Sequence, residues 1–141
     1  MRLSLAATAA ALLAVTEARI NGISVPSTIK PGDTFDVIIE SSNYIQSVYD
    51  VAIAVGYAPG NGYPESLGSI ANSFYLGPAK SNQLHSFNET ITIPSTIPKG
   101  KGIVTASLMS LYGAAYSPTL TNYNVSITFG DKTSKTYKSS Y

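Results

Sequence analysis

One histidine and no cysteine leave this 141-residue chain little with which to do nucleophilic or metal chemistry. His85 alone cannot build a multi-histidine zinc site, and no Gly-x-Ser-x-Gly elbow is present to seat a serine triad around it. It reads as a strand or strand-edge residue. Among the carboxylates, Asp36 and Glu40 share a strand face, but four residues of strand separate their Cα atoms by about 13 Å. Glycosidase pairs stand about 5 to 9.5 Å apart, so this pair does not fit. The glycines of Pro59-Gly60-Asn61-Gly62 and Lys99-Gly100-Lys101-Gly102 lack the Gly-Lys-Ser/Thr ending of a phosphate loop and read as turns. The residues therefore argue against an enzyme, and they imply no metal or cofactor.

The chemistry that the residue types do support is covalent modification. Asn88-Glu89-Thr90 and Asn124-Val125-Ser126 are N-glycosylation sequons. Both fall in expected strands, where a side-chain period of two puts each Asn on the same face as its Ser or Thr. At the second site Tyr123, Val125, Ile127 and Phe129 take the inner face and leave Asn124 outside. Ten tyrosines without a tryptophan could form a sugar platform, yet tyrosine is also ordinary strand packing. Tyr49 and Tyr123 are expected inside, and Tyr44, Tyr63 and Tyr75 exposed in or beside loops.

Glycosylation requires export, and the N-terminus supplies the signal for it. Met1 and Arg2 precede an uncharged run of Leu, Ala, Ser, Thr and Val that ends at Val15, too short to span a bilayer. Thr16-Glu17-Ala18 places small side chains at the two positions that a signal peptidase reads, so residues 1–18 are expected to be a cleaved signal peptide. Residues 19–141 then form a single domain, large enough to fold on packing alone without disulfides. A net charge of +1 for the whole chain provides no electrostatic footprint for nucleic acid or anionic membrane. No second apolar run suggests a membrane anchor, and a monomer is expected.

Along residues 19–141 the apolar period is two, with β-branched residues and tyrosine dominant. Strands are expected over residues 20–25, 34–41, 49–57, 84–93, 103–111, 122–129 and 133–138. In the second, Phe35, Val37 and Ile39 share a face; in the third, Val51, Ile53 and Val55 do. About seven strands separated by Pro and Gly turns predict an immunoglobulin- or fibronectin-like β-sandwich, with a barrel as the alternative. Pro26-Ser27-Thr28-Ile29 and Pro94-Ser95-Thr96-Ile97 echo one another as two crossings between sheets. Residues 58–82, rich in Gly, Pro, Asn and Tyr, read as one long loop with a helical turn near residues 67–74, and a loop of that length is more often functional than not. Lys132, Lys135 and Lys138 read as guards of a terminal sheet edge.

Several of these residues resemble one family. Ile20-Asn21-Gly22-Ile23, Asn43-Tyr44-Ile45-Gln46-Ser47-Val48, Gly62-Tyr63-Pro64, Ser66-Leu67-Gly68, Tyr75-Leu76-Gly77-Pro78 and Ser110-Leu111-Tyr112-Gly113-Ala114 are similar to the fungal necrosis-inducing secreted protein effector family. The resemblance spans nearly all of residues 19–141. It implies a secreted effector of plant-associated fungi that binds plant immune receptor kinases and their cytoplasmic partners, suppresses pattern-triggered immunity and can elicit cell death. Uptake into the host cytoplasm would accompany the second set of partners. Tyr44, Ile45, Gln46, Tyr63, Pro64, Tyr75 and Leu76, which combine aromatic and apolar groups with turn formers, are the candidate partner-binding residues. Asn88 and Asn124 are the candidate glycosylation sites. An extracellular carbohydrate- or cell-wall-binding module is the competing class.

Overall fold

Alternating β-branched residues produce the strands that their period demands. In the computed structural model, which describes residues 17–141, two sheets pack face to face. The strands are β1 (Glu17–Pro26), β2 (Thr28–Ile29), β3 (Thr34–Tyr44), β4 (Val48–Pro59), β5 (Ser69–Tyr75), β6 (Phe87–Thr92), β7 (Gly100–Tyr112), β8 (Ser117–Phe129) and β9 (Tyr137–Ser139), with one short helix, α1 (Gly77–Lys80), after β5. The four-stranded sheet has the order β6-β3-β1-β9, and the five-stranded sheet β2-β8-β7-β4-β5. The expected β-sandwich is thus the observed fold, and its strand order is immunoglobulin-like. The signal peptide assigned to residues 1–18 lies outside the described residues except for Glu17 and Ala18, which begin β1 opposite Tyr44 and Asn43.

The core lies between the sheets. Phe35, Val37 and Ile39 from β3 meet Ile53 and Val55 from β4, Val104 and Leu108 from β7, and Val125, Ile127 and Phe129 from β8. The two echoed Pro-Ser-Thr-Ile segments do cross between sheets, β1 to β2 and β6 to β7, at one end of the sandwich. The Gly32 amide donates a 2.7 Å hydrogen bond to the Ile93 carbonyl, joining the two crossings.

Four expectations are corrected. Residues 58–82 are not one loop, because residues 69–75 form edge strand β5 on β4 and α1 follows. A register shift in the pairing of β4 with β5 leaves Ala71 unpaired, which hides the period-two signal and removes the expected helical turn near residues 67–74. A second irregularity, between Asp50 and Ala52 where β4 pairs with β7, rotates Val51 out of the core face and Asp50 into it. The last strand covers only Tyr137–Ser139, so Lys138 sits on a sheet edge while Lys132 and Lys135 lie in the segment before it. His85 lies exposed on a bend ahead of β6 rather than in a strand.

Candidate functional site

The outer face of the five-stranded sheet carries its side chains in cross-strand rows, since residues paired in an antiparallel ladder point the same way. One row runs Leu120, Met109, Ala52, Tyr75 across four strands. Leu120 is 72% exposed, Met109 37% and Tyr75 70%, so apolar groups occupy positions that ordinarily hold polar ones. Beside it stand Pro118, Leu111 and Tyr49, with the Tyr49 hydroxyl 3.3 Å from that of Tyr75. The Tyr75 hydroxyl beside it raises the Tyr49 pKa above its ordinary value. On the other side the rows turn small and polar: Asn122, Ser107, Ala54, Ser73, then Asn124, Thr105, Gly56 and exposed Ile70. None of the residues in these four rows is charged.

The loop between β4 and β5 folds back over the polar rows and encloses a groove of about 740 Å³. It begins with the turn Pro59-Gly60-Asn61-Gly62, where the Gly60 amide donates 2.8 Å to the Lys101 carbonyl. Gly60, Gly62 and Gly68 have φ near +65° to +75°, a region that suits glycine. The loop returns at Leu67, whose carbonyl accepts a 2.8 Å hydrogen bond from the Thr105 hydroxyl. That contact is possible because Gly56 has no side chain: a Cβ there would stand 2.3 Å from the Leu67 oxygen. Tyr63 and Pro64 line the groove from the loop, and Thr105, Ser107, Asn122 and Asn124 line it from the strands.

The candidate partner-binding residues do not converge on one patch. Ile45, 91% exposed, and exposed Gln46 lie in the turn entering β4, whereas Tyr63 and Pro64 follow its far end. Twelve residues of strand put those ends roughly 36 Å apart. Tyr75 lies within the apolar row. Two residues are corrected: Leu76 is buried in the main core with its amide bonded to the Val51 carbonyl at 2.9 Å, so it is no surface group. Tyr44 is half-buried rather than exposed, with the Arg19 guanidinium 4.4 Å from its ring centre and Tyr112 edge-on at 5.8 Å. Met109 was missed because it occupies an ordinary strand position, and Leu120 because the expected strand began only at residue 122 whereas β8 begins at Ser117; only the register reveals that both face solvent beside Tyr75.

Tyr123 packs against the core as expected, and burial pushes its pKa up to about 12 while its hydroxyl donates 3.1 Å to the Ile20 carbonyl. Tyr49, expected inside, stands half-buried on the outer face instead. Asn88 and Asn124 are both exposed on outer sheet faces. Among the described residues no cluster of three or more His, Cys, Asp or Glu could hold a metal ion.

With the fold and face defined, the relatives can be compared. The Nis1 family profile matches residues 16–128. This chain belongs to the Nis1 family. It is 52% identical over 137 residues to necrosis-inducing secreted protein 1 of Colletotrichum higginsianum, covering 96% of this chain and 94% of that protein. It is 48% identical over 132 residues to the protein of the same name in Colletotrichum orbiculare, covering 93% of this chain and 82% of that one. Among solved structures, superoxide reductase (neelaredoxin) from Ignicoccus hospitalis aligns over 86% of this Nis1-family chain and 87% of its own, at 15% identity and a TM-score of 0.45, too distant to bear on function.

Proposed function

We propose that this Nis1-family chain is a secreted fungal effector that acts by binding rather than catalysis. It engages plant immune receptor kinases and, after uptake into the host cytoplasm, their associated kinases, suppressing pattern-triggered immunity and inducing cell death. Export and necrosis are supported by the printed name shared by the two Colletotrichum relatives. The kinase partners rest on the family resemblance of residues 43–48 and 75–78.

The observation that carries the binding surface is the uncharged row Leu120, Met109, Ala52, Tyr75 on a solvent-facing sheet. A rigid sheet loses little conformational freedom on docking, and Tyr75 and Met109 are residue types enriched at interfaces. The experiment is a binding titration of the secreted chain against purified plant immune kinase domains. Met109→Glu and Leu120→Glu should each weaken binding by about tenfold or more, since each would bury a charge in the contact. Both variants should keep the parent unfolding midpoint. Full affinity in two folded variants would remove the row from the interface, and no binding by the parent chain would refute the kinase reading.

A further inference from the structure

We propose that the groove under the β4–β5 loop is the seat of the protein's own N-linked glycan, carried by Asn124. The sequon and the groove are independent observations that meet at one side chain. Asn124 and Ser126 form the sequon, lie two residues apart on one face of β8, and both line the groove. Asn124 is exposed and opposite Thr105, whose hydroxyl anchors the returning loop. A sugar on Asn124 therefore starts on the groove floor rather than above a flat sheet.

The lining suits a sugar. Thr105, Ser107, Asn122 and Ser126 present hydroxyls and amides, and Tyr63, 69% exposed, supplies an aromatic face at the rim. Hydroxyls and amides, with the rings of Tyr63 and Tyr123 and the Glu65 carboxylate also in the lining, offer the hydrogen bonds and stacking surface that the alternating hydroxyl and C–H faces of an N-acetylhexosamine require. The loop needs no rearrangement to receive it, because Gly56 and the Thr105 hydrogen bond already pin Leu67 to the sheet. Asn88 differs: it stands on edge strand β6 and does not line the groove.

The transfer step draws on a lipid-diphosphate-linked oligosaccharide as donor. The Asn124 Nδ2 forms a bond to the sugar's C1, the C1–oxygen bond to the diphosphate breaks, the lipid diphosphate leaves, and Nδ2 gives up one proton. Once attached, the first sugars settle between Tyr63 and β8 beside Leu120, which borders the groove, leaving Tyr75 and Met109 uncovered farther along the face.

The test uses the chain secreted from a fungal host. Glycopeptide mass spectrometry should find an N-acetylhexosamine on Asn124. Under native conditions, peptide N-glycosidase should release the Asn124 glycan slowly and release it fully after denaturation. Tyr63→Ala should speed native release about fivefold, as expected for loss of one aromatic contact. Because peptide N-glycosidase turns the asparagine into a charged aspartate, stability is compared instead with Asn124→Gln protein from the same host, whose unfolding midpoint should lie below that of the glycosylated parent. An unmodified Asn124 overturns the proposal, as does native release as fast as that from the denatured chain. Retention of free chito-oligosaccharide by Asn124→Gln protein, with no modification of the parent, would instead make the groove a site for external carbohydrate.

Discussion

Ser110 donates a 2.7 Å hydrogen bond to the carboxylate of Asp50, and both residues are 1% exposed inside the sandwich. The pair exists because the irregularity in β4 turns Asp50 inward, opposite Ser110 on β7. Ser81 completes the polar pocket: the Asp50 amide donates to its hydroxyl at 2.9 Å, and that hydroxyl lies 2.9 Å from the Asp50 carbonyl and 2.6 Å from that of Gly77. The same pocket fastens α1 to β4.

Burial pushes the Asp50 carboxyl above its ordinary pKa, and the Ser110 hydrogen bond only partly offsets this. The folded chain then keeps the Asp50 proton to higher pH than the unfolded chain does. Stability therefore falls as pH rises from about 4 through the raised folded value, and stays lower beyond it. Asp50→Asn, which removes the charge but keeps an acceptor for Ser110, should raise the unfolding midpoint at pH 7. The difference should shrink toward zero below about pH 4. A variant less stable than the parent at pH 7 would mean that the ionised carboxylate is the form the pocket favours.

Leu76 and Ile45 came from the same kind of segment, yet one is in the core and the other is 91% exposed. Leu76→Ala should cost about 2 to 5 kcal/mol in urea unfolding, the usual range for a large core deletion. Ile45→Ala should change stability by less than about 0.5 kcal/mol. Equal effects would contradict this placement.

Gly56 and Gly60 separate two reasons for glycine. A Cβ on Gly56 would meet the Leu67 oxygen at 2.3 Å and the Ser69 oxygen at 2.9 Å, both backbone atoms of the returning loop. Gly56→Ala should thus lift that loop, lowering stability by about 1 to 3 kcal/mol and speeding protease cleavage within residues 60–68. Gly60 has open space but a φ of +65°, so Gly60→Ala should cost only about 1 kcal/mol and leave cleavage nearly unchanged. Limited proteolysis of both variants decides it.

The chain contains no cysteine, so its unfolding midpoint should be the same with and without reductant. A shift on adding reductant would reveal a stabilising contribution from outside the chain.

Period-two alternation was enough to identify β3, β7 and the later part of β8, because each has one face in the core and a nearly continuous ladder; Phe35, Val37 and Ile39 are inside as their spacing required, whereas residues 117–121 of β8 are mostly exposed and carried no such signal. The same alternation put Asn88 and Asn124 outside. Where an irregularity intervenes, the period fails. Val51 was placed inward and Asp50 was not singled out, since one extra residue exchanges the two faces. Strand β5 escaped notice for the same reason, aided by its exposed edge position, which relaxes the demand for apolar residues.

By itself, the sequence determined the fold class, the absence of thiol and multi-histidine chemistry, and the sequons, all of which depend on residue type or local period. Only the tertiary structure decided which side chains act together. Leu120 and Met109, on the consecutive strands β8 and β7, and Tyr75, on distant β5, become neighbours through register, and Tyr63 shares a groove with Asn124 because Gly56 lets a loop close on the sheet. Cross-strand adjacency depends on how distant segments pair, and no local pattern encodes that pairing.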